Sequence, residues 1–226
     1  NNMEVYNIHI QDPKVQINNF NFIVVPEHDR LEGENVIKSK GAIHYITDEE
    51  IQGAKALAIS KNVLTVILGG PNKYYSFSLE ELKRLFHKIE LLFLNRVEEI
   101  KIISSRRTPE SIVSFLRDRY KDNPKVIVDS SLSRKNYIEA LAQAKKIIVT
   151  SDSISMLSEA ATTGVPIYLA KLKSYKNDHR FDSFLKLFKK LNIIKDLETN
   201  EDSWTYDKLY ETKRIAELLK NKITLS

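Results

Sequence analysis

KIIVTSDSISMLSEAATTGVPIYLA, residues 146–170, holds in one stretch a β-branched apolar run, a serine-rich turn, a helix-period segment, a glycine and a second apolar run. Lys146 to Thr150 and Pro166 to Ala170 are too apolar for either to keep one face in water, so both read as strands of a parallel sheet covered on both sides. Parallel neighbours need a crossover. Ile154 to Thr163 supplies it as a helix, with Gly164 closing it as a C-cap.

The alternation continues outward. Val63 to Leu68, Ile100 to Ser104 and Lys125 to Val128 read as further strands. Ser78 with Glu81 three residues on predicts a capping box for a helix burying Leu82, Leu85, Phe86, Ile89 and Phe93. Pro109, after Thr108, is expected as the first residue of a helix burying Ile112, Phe115, Leu116 and Tyr120. Asn136 to Ala144 reads as a shorter helix, and Arg180 to Leu191 and Tyr206 to Lys222 as two final ones. Residues 61–226 are therefore expected to form a Rossmann-like α/β domain, a parallel sheet with flanking helices. Residues 1–60 differ. Phe22 to Val25 and Val36 to Ile43 look like strands with no room for a crossover helix between them, and Thr47 to Ser60 like a helix leading into the sheet. This part is expected to be a remnant of an N-terminal domain.

With 226 residues, 42% of them hydrophobic, the chain can bury a substantial core. No run approaches the roughly 18 apolar residues of a membrane span, and Asn1 to Tyr6 has no signal-peptide character, so the cytoplasm is the expected compartment. The absence of cysteine excludes disulfides and thiol chemistry. A net charge of +5 helps concentrate a polyanionic ligand and is too small to suggest a nucleic-acid binder. Lys186, Lys189, Lys190 and Lys195 accompany Phe181, Phe184, Leu185 and Phe188, the pattern of a solvated helix face; peripheral membrane contact is the secondary reading. His9, His44, His87 and His179 show no ligand spacing, and no metal is expected.

Ligands of an open parallel sheet lie beyond the carboxyl ends of its strands, so the loops there carry the candidate chemistry. After the first strand, Gly69 and Gly70 let the backbone approach a ligand, and Asn72 and Lys73 add polarity and charge; a turn needing positive φ explains the glycines equally well. After the second, Ser105, Arg106, Arg107 and Thr108 stand before a helix, where guanidinium groups and free amides suit phosphate, with one arginine expected to point outward. Ser151, Asp152, Ser153 and Ser155 lead into the helix carrying Glu159. Ser153 or Ser155 can be an N-cap, and Glu159 can bind a ribose or lie on an ordinary helix surface. Across the cleft, Asp12, Glu27, His28 and Asp29 offer a histidine beside carboxylates, as a general base requires; a structural cap is the alternative.

Gln11-Asp12-Pro13, Val25-Pro26-Glu27-His28-Asp29, Gly69-Gly70-Pro71-Asn72-Lys73, Ser105-Arg106-Arg107-Thr108-Pro109, Thr150-Ser151-Asp152-Ser153-Ile154-Ser155-Met156 and Trp204-Thr205-Tyr206 occur in this order, and together they resemble the mitochondrial fission "elongated mitochondria" family. The resemblance implies a glycosyltransferase-B-like architecture whose C-terminal half holds a nucleotide diphosphate-sugar, UDP-sugar first. Ser153 and Ser155 would lie on the phosphates and Glu159 on the ribose, and no cofactor beyond that ligand is needed. Helix dipole and basic side chains would then stabilise a departing diphosphate without a metal. Relative to the family pattern, the N-terminal part of the first half, with its own glycine loop, is expected to be missing.

The resemblance also implies a rival, a non-catalytic module that recruits a protein partner, as the plant relatives are associated with recruiting a dynamin-type fission GTPase. Trp204, Tyr206 and Tyr210 are its candidate contacts, with packing on the sheet as their plainer role. A dehydrogenase or epimerase reading lacks both the dinucleotide glycine fingerprint and a Tyr-x-x-x-Lys pair.

Overall fold

A computed structural model describes residues 5–176, 179–198 and 203–224. Three short strands come first, β1 (Ile8–Ile10), β2 (Phe22–Pro26) and β3 (Val36–Ser39), followed by helix α1 (Asp48–Ala56). Then strand and helix alternate: β4 (Val63–Ile67), α2 (Leu79–Phe93), β5 (Glu99–Ile103), α3 (Glu110–Tyr120), β6 (Val126–Asp129), α4 (Arg134–Gln143), β7 (Ala144–Thr150), α5 (Ile154–Ala160), β8 (Ile167–Ala170), α6 (His179–Lys190) and β9 (Ile194–Asp196). Helix α7 (Glu211–Thr224) is the last element among the described residues.

Strands β4 to β9 form one parallel sheet in the order β6-β5-β4-β7-β8-β9. The chain winds from β4 out to β6, returns to β7 and winds the other way, the doubly wound order of a Rossmann fold with its reversal between β4 and β7. Every residue of β4 is buried, and the sheet divides its apolar side chains by strand period. Leu64 and Val66 join Phe86, Ile112 and Tyr168 on one face, while Ile67, Ile147 and Val149 join Leu141, Leu157 and Phe184 on the other. The fold is thus the expected α/β class with a parallel Rossmann-like sheet.

The N-terminal strands form a separate parallel sheet, β1-β2-β3. Helix α7 returns from the far end of the chain to cover it, packing Ile215 on Val24 and Ile37. Linker 40–47 joins the sheets closely. Ser158 Oγ of α5 accepts from Ala42 N at 2.9 Å, Glu211 Oε2 accepts from Lys40 N at 2.7 Å, and a Cβ on Gly41 would lie 2.7 Å from Ser158 Oγ. No helix of the described residues is long and apolar enough to cross a membrane.

Several local expectations change. Ser78 does cap α2, accepting from Glu81 N at 3.2 Å, but the Glu81 carboxylate turns to Ser76 Oγ and Lys173 N instead of closing the box. The reciprocal box is at Thr47 and Glu50, at the start of α1, which stops at Ala56. Pro109 is the N-cap of α3 and not its first residue, its ψ of 140° being extended. Helix α5 stops at Ala160, and Gly164, at φ +74°, ends the turn that follows. Residues 206–210, expected as helix, are not helical: Tyr206 Oη donates to Val165 O at 2.9 Å and Leu209 N to Ala161 O at 3.1 Å, holding the segment against α5 and β8. Trp204 is buried edge-on to Tyr168 with ring centroids 5.0 Å apart, and Tyr210 donates to Asp48. Trp204 thus takes the plainer of its two expected roles, packing on the sheet, while Tyr206 and Tyr210 are half-buried and hydrogen-bonded to the fold.

Candidate functional site

At the reversal between β4 and β7 the loops bond to each other. Asp152, its carboxylate fully buried, accepts from Gly70 N at 3.0 Å, Thr150 Oγ1 at 2.7 Å and Arg107 Nη2 at 2.8 Å. Arg107 Nη1 also reaches Gly70 O at 3.0 Å, and Asn72 Nδ2 reaches Asp152 O at 3.1 Å. Ser105 and Thr108 donate to Gly69 O at 3.0 and 2.6 Å. Neither glycine has positive φ. A Cβ on Gly69 would stand 2.0 Å from Asp152 Oδ2, and one on Gly70 2.0 Å from Arg107 O, so the glycines are required by the packing of loop on loop. Lys73 extends outward over the Tyr74 ring, 4.7 Å from its centroid. Ser151 Oγ accepts from Leu172 N at 2.9 Å, and Ser153 is the N-cap, accepting from Met156 N at 3.4 Å.

One strand away the polar groups face open space. A cleft of about 230 Å³ lies beyond β5 and β6, bounded by Ser104, Ser105 and Arg106 on one loop, Asp129, Leu132 and Ser133 on the next, and Met156 and Glu159 on α5, with Tyr45, Arg134 and Tyr137. Arg106 is the outward member of the arginine pair and has no ion-pair partner among the described residues. Glu159 accepts from Tyr137 Oη at 2.7 Å. Burial pushes the Glu159 carboxyl up from the usual glutamate range, against the lowering effect of the Tyr137 hydrogen bond. Burial, with the Glu159 charge added, also holds the Tyr137 phenol well above its ordinary value. Asp129 is different: burial raises it, but the Ser131 hydroxyl and amide, Asn136 and Lys101 together bring it below the usual range.

A second cleft, about 330 Å³, lies between the two sheets and touches the first turn of α5 through Ile154 and Ser155. Its other walls carry Gln11, Asp12 and Lys14 from the loop after β1, His28 and Asp29 from the loop after β2, and Arg180 from α6. His28 is buried, with Nε2 3.9 Å from Asp29 Oδ1 and its ring edge-on to Phe184 at 5.7 Å. Arg180 Nη1 stands 3.5 Å from Asp29 Oδ1. Glu27 is exposed and lies outside this cleft. Among the described residues, no three His, Cys, Asp or Glu side chains gather as metal ligands. Sequence reasoning missed Tyr45, Leu132, Arg134, Tyr137 and Arg180, which reach the clefts from a linker, a serine-flanked loop and the helices beside them. Only Leu132, apolar between Ser131 and Ser133, offered a local signal.

A doubly wound parallel sheet with two clefts at the strand ends, meeting at one helix, defines a protein of the Rossmann-like α/β class. The sequence model of the family described as "Mitochondrial fission ELM1" matches residues 1–223, and the chain belongs to that family. It is 31% identical to an uncharacterised protein of Rickettsia prowazekii (strain Madrid E), over 86% of this chain and 57% of that protein. It is 24% identical to the mitochondrial fission protein ELM1 of Arabidopsis thaliana, over 97% of this chain and 58% of that protein. The chain thus spans less than two thirds of the length of these curated relatives. Among solved structures, it is similar to MurG of Acinetobacter baumannii (15% identity, 88% of this chain and 52% of that one, TM-score 0.48). UDP-GlcNAc 2-epimerase of Methanocaldococcus jannaschii is similar as well (13% identity, 90% and 63%, TM-score 0.48).

Proposed function

We propose that the cleft beside α5 binds a nucleoside diphosphate-sugar, a UDP-sugar first, as a glycosyltransferase-like protein does. The observation that carries the reading is that an arginine without an ion-pair partner among the described residues and a mostly buried carboxylate, Arg106 and Glu159, line one cleft at the strand ends. An ionised carboxylate has about four acceptor positions and Tyr137 occupies one, leaving Glu159 able to take both hydroxyls of a ribose diol. Arg106 supplies the positive fork for phosphate.

From the ribose, the diphosphate would pass Ser155 at the start of α5 into the second cleft, where Lys14 and Arg180 add positive charge. The sugar would then lie against His28 and Asp29, which would take a proton from an acceptor hydroxyl. Gly69, Gly70, Arg107 and Asp152 would shape this path by holding the loops, without touching the ligand. The recruiting-module reading is not favoured, because the aromatics it relied on are packed against the fold.

Calorimetric titration with UDP, a UDP-sugar and GDP tests the proposal. UDP and the UDP-sugar are expected to bind more tightly than GDP, and Arg106→Ala and Glu159→Ala to weaken both. Absence of binding by every one of the three would defeat it.

A further inference from the structure

Two exposed large apolar side chains share the first cleft. Tyr45 is 69% exposed and Leu132 57% exposed, although they come from a linker and from the loop after β6. Both are held firmly. His44 N donates to Thr212 Oγ1 at 3.1 Å on one side of Tyr45, Ile46 is buried on the other, and Thr47 begins the reciprocal box of α1. The Arg134 guanidinium covers one face of the Tyr45 ring at 4.9 Å from its centroid, and Glu50 fixes that guanidinium at 2.6 Å. At 69% exposure the ring still offers surface on which a second planar group can stack.

Leu132 has φ +56°, a left-handed conformation that a branched side chain rarely adopts and that asparagine or glycine would take with less strain. Its neighbours impose it. Ser131 N donates to Asp129 Oδ1 at 2.8 Å, and Asn136 Nδ2 donates to Asp129 Oδ2 at 2.7 Å. An exposed leucine kept on strained backbone at the mouth of a cleft points to a task for its side chain.

We infer that Tyr45 and Leu132 grip the planar base of the nucleotide, the ring of Tyr45 stacking on it and Leu132 covering its edge. This rests on the binding of a nucleoside diphosphate proposed above and adds to it the residues that hold the base. A phenol ring on a pinned backbone loses little freedom when it stacks, and stacking tolerates a range of bases, so the clip supplies affinity while selectivity lies elsewhere.

The test is UDP titration of the full chain and three variants, with thermal melting of each. Tyr45→Ala is expected to weaken UDP binding about tenfold, from the usual strength of a base stacked on an aromatic ring. Tyr45→Phe, which keeps the ring, is expected to stay within about twofold of the parent by the same argument. Leu132→Gly is expected to weaken UDP and yet raise the melting temperature, because it relieves the left-handed strain. UDP binding that survives Tyr45→Ala unchanged would overturn the clip and leave the nucleotide reading standing. Failure of the parent chain to bind UDP would overturn both.

Discussion

The reversal point of the sheet and the cleft one strand away are built from the same residue types and do opposite things with them. At the reversal, Arg107, Ser105, Thr108, Asn72 and Asp152 spend their hydrogen bonds on the two glycines and on one another. In the cleft, Arg106 and Glu159 keep acceptor or donor capacity facing outward. Adjacent arginines thus part company: Arg107 is a clamp and Arg106 is available to a ligand. The lesson is that a polar loop at a strand end is a candidate site only after its internal bonds have been subtracted.

The contrast can be broken most severely at Asp152. Asp152→Ala leaves Gly70 N, Thr150 Oγ1 and Arg107 Nη2 without the carboxylate they donate to, Arg107 keeping only its bond to Gly70 O. Since Arg107 is 40% exposed and can rehydrate, the loss belongs at the lower end for a broken buried pair, about 3 kcal/mol. Urea unfolding measures it. Gly69→Ala drives a methyl into the same carboxylate and is expected to cost about 2 kcal/mol by overpacking, read in the same way. Arg106→Ala sharpens the comparison from the other side. Stability should stay within about 0.5 kcal/mol, while UDP affinity falls roughly tenfold, about 1.4 kcal/mol.

The smallest effect is on pH dependence. Because burial raises the Glu159 carboxyl above the ordinary 4.5, the folded chain holds that proton more tightly than the unfolded chain. Its contribution to stability is therefore most favourable below pH 4.5 and declines as pH rises through the raised value. Ligand binding runs the other way, since the ribose diol needs the carboxylate, and should weaken as pH falls through that raised value. Glu159→Gln is expected to flatten both trends. Titration of UDP's own phosphate is common to parent and variant, so their difference isolates Glu159.

Much of this fold is legible because β4, β5, β7 and β8 are buried runs with nowhere else to go, and because α2 and α3 carry apolar stripes of the right period. Two of the edge strands, β1 and β9, are not. Ile8-His9-Ile10 and Ile194-Lys195-Asp196 are three residues each, and only pairing with β2 and β8 makes them strands. Helix α7 follows the second sheet in the chain yet covers the first, which no local pattern announces. Residues 206–210 lose their helical tendency to contacts with Val165 and Ala161, tertiary bonds that outweigh propensity.

The site was legible as a set of loops and not as roles. Ser155 and Glu159 reach the clefts, and Ser153 is resolved as the N-cap. Of the two readings the glycines had, positive φ is not what the structure uses; a further reason, the packing of loop on loop, is visible only when Asp152 and Arg107 arrive from 82 and 37 residues away. Tyr45 was invisible because it lies on a linker and its partner Arg134 is on α4, 89 residues further along the chain.

A crystal structure of the chain soaked with UDP is the most direct measurement of where a ligand goes. The base should lie in the cleft with Tyr45, Leu132 and Met156, the ribose on Glu159, and the phosphates between Arg106 and Ser155. Density wedged between the Gly69 loop and Asp152, with their mutual bonds broken, would contradict the account.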